Sequence, residues 1–364
     1  VNLNDMAYEV GAVRPGVGVN AGVAKFIARR NKLFNWNYDH QLEIRSLRKT
    51  LGVLLFQDQI NQLAIDVGGF KPFEANKLRI ALQKNNNLEV ILKYKQQFIT
   101  GALKKGVSKN IAEKIFNKFN GNYMFPEAHA FAFGVTAYHM AWLKYYYPKE
   151  FFAAIFNQQP MGFYNLETLK EDAKRHGIEF LNPDVNLSSA KCRIVENQGV
   201  EAIILGLLNV KDVGYVNAWN IIRARETFGD FNSISDLFNK AHINRGVLEN
   251  LALSGALDKI VSSRRAALWE IGVNFKNKNI ANSLPSMFES DLPKLDKFSQ
   301  WEIMSGEYKS MGIYTKGHIM KEIRRKIDLN LSTSVEVDKM KDGSKILIAG
   351  LVIRRQKPLA KSVF

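Results

Sequence analysis

The sequence has one cysteine, Cys192, which excludes an internal disulfide and any zinc site built on paired thiols. It also lacks the run of about 18 apolar residues that predicts a membrane-spanning helix. Its first residues, VNLNDMAYEV, contain neither the basic nor the apolar segment of a secretion signal. We therefore expect a cytoplasmic protein that works in a reducing compartment and binds no membrane.

Several catalytic signatures are missing as well. The sequence has no Gly-x-Ser-x-Gly, no Cys-x-x-Cys and no His-x-x-x-His among its six histidines. Nucleotidyl transfer by two metal ions commonly uses two acids at i and i+2 on a strand, and no Asp-x-Asp is present. The segment GVGVNAG, residues 16–22, lacks the Lys and Ser or Thr of a phosphate-binding loop, which favours a structural turn. We expect neither catalytic residues nor metal ligands here.

What the sequence has in excess is positive charge. Its 51 Lys and Arg against 35 Asp and Glu give a formal net charge of +16. The first 160 residues alone contain 21 Lys and Arg against 11 Asp and Glu. This excess favours a polyanionic partner such as nucleic acid, with the stronger attraction in the first part of the chain.

Hydrophobic periodicity divides the chain into four regions and predicts a mainly α fold. Residues 1–158 have helical spacing throughout and form the first predicted domain. Residues 159–272 contain shorter helical elements, 273–300 lack any sustained period and read as a linker, and 301–364 form a connector that ends in predicted strands. Because the sequence has no initiator Met and stops at AKSVF without a closing element, we expect an internal fragment of a larger polypeptide.

A row of basic residues lies on the second helix of a helix-turn-helix predicted for residues 50–84. Lys77, Arg79 and Lys84 can line one side of the end of this helix. A solvated helix face explains such a row as well as a row of phosphate contacts does, so both interpretations stay open.

The nearly uncharged segment FPEAHAFAFGVTAYHMAWLK, residues 125–144, predicts a helix that is mostly core. The residues predicted to be buried are Ala132, Val135, Trp142 and Leu143. For His129 two interpretations stay open: it belongs to the same core, or its imidazole, near a helix start, stacks on a base or binds a phosphate.

The segment LGLLNVKDVGYVNAWNIIRARE, residues 205–226, fits a helix-hairpin-helix pattern. Val213 and Gly214 would form the tight hairpin, and Lys211 precedes them. Backbone amides at such a hairpin can bind phosphate without reading base sequence. Asp212 stands where a Gly is usual and would put a negative charge beside that phosphate.

Taken in order, these segments resemble the bacterial DNA polymerase III α subunit, a DnaE-type family C DNA polymerase, over nearly the full chain. VRPGVGV, residues 13–19, resembles the family's Arg-Pro-Gly-Pro loop, and residues 51–84 resemble its Tyr-Gly, Gln-Glu-Gln and Leu-Arg-Arg helices. Residues 125–156 resemble its Asn-Lys-Ser-His-Ala element, which ends in Tyr-Pro-x-Glu-Phe. The resemblance leaves open whether the replicative or the error-prone branch is nearer.

The resemblance implies helical fingers, then a tandem helix-hairpin-helix region and the start of an OB-fold β-barrel at residues 340–364. It implies template-directed DNA synthesis in replication, with Mg²⁺ and the catalytic palm aspartates upstream, so the fragment alone is expected to be inactive. The implied partners are primer-template DNA, dNTP, the sliding clamp (β subunit) and other replisome subunits. The alternative is a non-catalytic helix-hairpin-helix DNA-binding module.

The resemblance also implies roles for individual residues. Arg79 matches the first Arg of Leu-Arg-Arg, while Arg14 and His129 match positions near the nascent base pair. The candidate nucleotide or phosphate ligands are therefore Arg14, Arg79, Lys84 and His129. The candidate DNA contacts are Lys77, Lys211, Val213 and Gly214. The candidate clamp-binding residues are Leu284, Met287 and Phe288, for which an ordinary apolar break in a linker is the alternative.

Overall fold

The computed structural model describes residues 2–12, 22–84, 88–119, 125–162, 164–276 and 295–352. The chain divides into two compact units, Val1–Tyr145 and Tyr146–Phe364. Within the described ranges, no helix is both long enough and apolar enough to cross a membrane.

The first unit is helical. Its helices are α1 (Leu3–Ala12), α2 (Gly22–Arg30), α3 (Ile44–Leu47), α4 (Gln57–Asp66), α5 (Pro72–Lys84), α6 (Leu88–Lys104), α7 (Lys109–Phe116) and α8 (Glu127–Tyr146), the last of which reaches the unit boundary. The helix-turn-helix predicted for residues 50–84 is confirmed as α4 and α5. The turn between them uses left-handed Gly69, and Pro72 opens α5, where its missing N–H costs no helical hydrogen bond.

Aromatic rings fill the centre of the first unit. Phe98, Phe116 and Phe119 meet edge to face, with ring centroids 5.2–5.6 Å apart. A Cβ on Gly101 would collide with the carbonyl oxygen of Gly68. The close approach of α6 to the end of α4 therefore depends on glycine at position 101.

The second unit combines helices with one small sheet. Its elements are α9 (Pro148–Asn157), α10 (Leu166–Arg175), β1 (Phe180–Leu181), β2 (Arg193–Asn197), β3 (Val200–Ile204), α11 (Gly214–Phe228), α12 (Ile234–Ala241), α13 (Arg245–Ser254), α14 (Arg264–Lys276), α15 (Gln300–Met311), α16 (Ile319–Arg324) and α17 (Ser334–Val337). The central strand β3 pairs parallel to β1 and antiparallel to β2. The predicted mainly α fold class is confirmed.

The sequence predicts a first domain of residues 1–158, which would contain α9. In the structure, α9 belongs to the second unit, which begins at Tyr146. Phe152 and Phe156 on α9 are buried in the core of the second unit. The rings of Phe156 and Phe180 lie 4.8 Å apart. The apolar face of a helix predicts that the helix packs into a core. Only the fold shows which of the two cores that is.

The predicted linker, residues 273–300, is partly helical, because α14 extends to Lys276 and α15 begins at Gln300. Both flanking helices belong to the second unit. Arg265 on α14 forms a 2.6 Å ion pair with Glu302 on α15 and lies 4.7 Å from the ring centroid of Phe298. These contacts hold the first turn of α14 against the first turn of α15.

Residues 340–352, in which strands are predicted, form no strand in the structure. Their described backbone contacts are isolated: the Ser332 amide donates to the Leu347 carbonyl at 2.8 Å, and Arg324 donates to the Ala349 carbonyl at 2.9 Å. Alternating apolar residues make a strand only where a partner strand accepts their hydrogen bonds. Residues 353–364 lie outside the described ranges, so the OB-fold start stays a prediction.

Candidate nucleic-acid interface

Arg79 lies on α5 among neutral amide side chains. Its guanidinium donates to Asn76 Oδ1 at 2.8 Å, to Gln57 Oε1 at 3.1 Å and to Gln83 Oε1 at 3.2 Å. Gln83 in turn donates to Gln57 Oε1 at 3.0 Å, which ties the end of α5 to the start of α4. In the described part of the chain, none of the partners of Arg79 is a carboxylate.

This environment fixes the arginine without neutralising it. The side chain is half-buried, so its orientation is restricted, while no carboxylate among the described residues is bonded to its charge. Four of its five N–H donors already bond these amide oxygens, so a phosphate would bind the guanidinium by replacing some of them. The phosphate role that the family resemblance implies for Arg79 stays a prediction.

Lys77 lies on the same helix and is exposed. Its Nζ lies 5.4 Å from the ring centroid of Phe73, which is itself exposed on the surface. The pair offers a cation beside an aromatic face, which is a common element of nucleic-acid surfaces. The backbone of Lys84 ends α5, but its side chain is outside the described part of the structure, as is Arg14 in full.

His129 is exposed near the start of α8. Its imidazole is flanked by Phe125, with ring centroids 4.8 Å apart, and by Phe133, with ring centroids 4.6 Å apart. Phe125 is buried and Phe133 is half exposed. The three rings therefore form a short column that leads from the core to the surface.

The predicted burial of α8 is wrong. The residues predicted as core, Ala132, Val135, Trp142 and Leu143, are all exposed. The buried positions are Ala130 and Gly134, and a Cβ on Gly134 would lie 2.9 Å from the backbone of Ala7 in α1. Small residues thus bring α8 against α1 on one narrow side. An apolar helix needs neighbours on every side to be buried, and the described part of the first unit covers only that side.

The predicted hairpin at residues 211–214 has the expected backbone turn. Asp212 has φ +65° and Gly214 has φ +56°, and α11 begins at Gly214. A left-handed conformation at position 212 explains why glycine would be usual there. The Asp212 carboxylate accepts a hydrogen bond from Asn250 Nδ2 at 3.0 Å. Its charge is therefore held by α13 and is partly screened.

The predicted DNA contacts at this hairpin differ in their exposure to solvent. Lys211 and Gly214 are exposed. Val213 is only 1% exposed, and its amide donates to the Val210 carbonyl at 3.3 Å. The part that Val213 plays in this structure is to shape the hairpin. The first amides of α11, starting at Gly214, have no partner within the helix and point out of its N-terminus.

The sequence reasoning missed two exposed aromatic residues on α11. Tyr215 and Trp219 are 62% and 49% exposed, whereas the opposite side of the helix is buried through Ala218, Ile221 and Ile222. Their spacing of four places both rings on one helix face. The sequence contains the signal that would have found them. Once the apolar residues that pack α11 are assigned to its buried face, both aromatic residues fall outside that face.

Two predictions remain to be compared with the structure: the clamp-binding residues and the metal. Leu284, Met287 and Phe288 lie outside the described ranges. Among the residues that are described, no group of three or more His, Cys, Asp or Glu side chains could hold a metal ion. The described side chains therefore do not fit Mg²⁺, and we derive no chemical step through it.

Two segments of the chain match known protein families. Residues 1–106 match the bacterial DNA polymerase III alpha subunit finger domain, and residues 177–267 match a helix-hairpin-helix motif. The first match contains Arg79, and the second contains the hairpin with Lys211 and Gly214. Together they define the class to which these two segments are similar: DnaE-type family C DNA polymerases, with a finger domain followed by a helix-hairpin-helix motif.

Similar curated proteins extend this relationship beyond the two segments. An error-prone DNA polymerase of Nocardia farcinica is 34% identical over 97% of this chain and 32% of its own length. The error-prone DNA polymerase of Corynebacterium diphtheriae is 34% identical over 97% of the chain and 33% of its own length. That of Corynebacterium glutamicum is 35% identical over 98% of the chain and 33% of its own length. The chain thus spans about a third of these relatives.

Proposed function

We propose that the chain is the fingers and helix-hairpin-helix part of a DNA-directed DNA polymerase. It binds primer-template DNA and the phosphates of the incoming dNTP, while the catalytic aspartates and their Mg²⁺ belong to other parts of a longer polypeptide. The observation that carries the proposal is the position of Arg79, which is fixed by three neutral amides and keeps its charge for a ligand.

The proposal gives the two units different kinds of contact. In the first unit, Arg79 binds phosphate and His129 approaches the nascent base pair, with Lys77 and Lys84 adding longer-range attraction. In the second unit, Lys211 and the amides from Gly214 onward bind the DNA backbone without reading its sequence. The excess of 51 Lys and Arg over 35 Asp and Glu supports both kinds of contact.

Further features of the proposal follow from the family resemblance. Leu284, Met287 and Phe288 bind the sliding clamp, residues 340–364 begin an OB fold, and the longer protein works with other replisome subunits in the cytoplasm. The names of the three relatives favour the error-prone branch over the replicative one. The chain alone does not polymerise nucleotides in this proposal.

A second candidate is a non-catalytic helix-hairpin-helix DNA-binding module, which the match over residues 177–267 favours. The two candidates differ in what precedes the chain in its gene. A polymerase requires an upstream palm with paired aspartates, so reading the upstream coding sequence for Asp-x-Asp decides between them.

Duplex binding by the chain tests the DNA part of the proposal. The measurement is fluorescence anisotropy of a labelled primed duplex, titrated with the chain at several salt concentrations. Phosphate contacts predict that log affinity falls linearly with log salt, by about 0.9 for each phosphate neutralised. Absence of binding even at low salt would show that the positive charge serves another purpose.

A further inference from the structure

An open cleft of about 650 Å³ lies beside the hairpin in the second unit. Its walls include Gly214 and Tyr215 from the start of α11, and Gln159 and Tyr164 from the segment between α9 and α10. The volume lies within the roughly 300–1,000 Å³ of typical small-molecule sites. The predicted phosphate-binding hairpin therefore has a pocket directly at its edge.

Most polar side chains around the cleft are already engaged with the protein. Asn157 exchanges hydrogen bonds with both the amide and the carbonyl of Cys192. Asn209 accepts from the Gly206 amide, and Asn165 caps α10 by accepting from the Thr168 amide. The Asn157 amide and the oxygens of Asn165 and Asn209 are therefore used within the fold and shape the walls.

Gln159 is the exception. Its Oε1 accepts from the Met161 amide at 3.2 Å, but its Nε2 is shielded from solvent and has no hydrogen-bond partner in the described part of the chain. A buried donor without a partner costs about 1–3 kcal/mol, so such a group calls for an explanation. Because the cleft is open to solvent and this donor is not, Nε2 reaches a ligand carbonyl or ring nitrogen in the cleft only if the Gln159 side chain rotates toward the opening.

The remaining groups indicate what kind of ligand fits. Tyr164 and Tyr215 are 56% and 62% exposed and present aromatic rings at the cleft. Lys191 is exposed and is the one charged side chain among the described residues that line it. Aromatic faces, one cation and no lining carboxylate suit a flat, hydrogen-bonding ring attached to an anion.

We propose that this cleft binds an unstacked nucleobase of single-stranded DNA whose adjoining phosphate contacts the hairpin. Tyr215 or Tyr164 stacks on the base, Gln159 Nε2 donates to an acceptor on its edge, and Lys191 attracts the backbone. The inference rests on the proposed function, because it assumes that the hairpin meets DNA. It adds a preference for unpaired over paired nucleotides at this position.

An abasic oligonucleotide separates base binding from phosphate binding. We would measure affinities of the whole chain for a labelled oligothymidylate and for an oligonucleotide of equal length and charge whose sugars lack bases. The cleft predicts that wild type binds the thymidylate roughly tenfold more tightly, since stacking contributes about 1–3 kcal/mol per base. Equal affinities for the two oligonucleotides would overturn the inference.

Matched variants then place the effect in the cleft. Tyr215→Leu and Gln159→Leu should each reduce the ratio of the two affinities severalfold, whereas Tyr215→Phe should retain it. Phe228→Leu is the control, because Phe228 is an exposed aromatic residue at the other end of the same helix, outside the cleft lining. A ratio that survives both leucine variants, or that falls equally in the control, would also overturn the inference.

Failure of the underlying proposal would look different. If the hairpin meets no DNA, any binding comes from the first unit, so Lys211→Ala leaves both affinities and both salt slopes unchanged. If the hairpin binds phosphate but the cleft is empty, both oligonucleotides bind equally and with the same salt dependence. Thermal unfolding of each variant identifies any loss of folding, and Tyr215→Phe shows whether the ring alone is sufficient.

Discussion

Two arginines, Arg79 in the first unit and Arg264 in the second, are both held by several hydrogen bonds but by different kinds of partner. Arg264 is nearly buried and donates to Asp258 at 2.8 Å, and its Nη2 lies 3.0 Å from the Glu307 carboxylate. Arg79 is bonded to amide oxygens alone among the described residues. The charge of Arg264 is therefore used within the fold, whereas that of Arg79 is available to a ligand.

The electrostatics of Arg264 agree with this division. Burial alone would lower the pKa of its guanidinium, but the hydrogen bonds and charges of Asp258 and Glu307 outweigh burial and raise the pKa above its ordinary value. Lys170 shows the same structural use of charge, since its fully buried Nζ lies 2.6 Å from Glu167 and donates to the Tyr314 carbonyl at 2.7 Å. The second unit thus pairs its buried cations with acids.

The largest expected effect is on stability, from Arg264→Ala. Removing this side chain leaves Glu307 fully buried without its cation, which typically costs about 3–5 kcal/mol. Urea unfolding followed by circular dichroism would show a lower transition midpoint. The control is Arg265→Ala, whose ion pair with Glu302 is partly exposed and should contribute at most about 1 kcal/mol. Equal effects of the two variants would contradict a structural role for the Arg264 charge.

The difference between the two arginines can be removed by giving Arg79 a carboxylate partner of the kind that Arg264 has. Gln57→Glu places a carboxylate where the amide oxygen now accepts from Arg79. A charge-assisted bond would then compete with phosphate, and we expect affinity for primed duplex to fall several-fold with little change in stability. The control is Gln96→Glu, since Gln96 is exposed on α6 and has no bond to Arg79. Undiminished binding by Gln57→Glu would argue against Arg79 as a phosphate ligand.

The sequence predicted the position of Arg79 but not its environment. Gln57 is 22 residues away in the chain and reaches Arg79 only because α4 packs on α5. The helix at residues 127–146 was predicted and is present, yet its burial was wrong, because periodicity does not reveal whether neighbours exist to cover a helix. The left-handed backbone at Asp212 could be inferred from the hairpin pattern, whereas its bond to Asn250 requires the fold.

A smaller effect is expected at the hairpin, from Lys211→Ala. Lys211 is exposed, so the variant should fold normally and lose about one unit from the slope of log affinity against log salt. Duplex binding across a salt series measures this slope. Lys240→Ala is a useful control, because Lys240 is engaged with Asp236 at 2.9 Å and should leave the slope unchanged. An unchanged slope in Lys211→Ala would remove this residue from the interface.

The smallest expected effect concerns Cys192, a buried group with no counter-charge. Burial raises the pKa of its thiol to about 11, so the thiol stays protonated at neutral pH. Because the thiolate is the reactive form, alkylation should be very slow in the folded chain and become fast on unfolding or as the pH approaches 11. Iodoacetamide labelling followed by mass spectrometry measures this rate. Fast labelling of the folded chain at pH 7 would contradict the buried position.

The most direct test of the central claim is the salt dependence of duplex binding by Arg79→Ala beside wild type. The claim is that Arg79 is held by the fold yet keeps its charge for phosphate. It predicts weaker binding in the variant, a salt slope shallower by about one unit, and an unfolding midpoint close to that of wild type. A variant that binds with unchanged slope, or that loses binding only because it has unfolded, would contradict the claim.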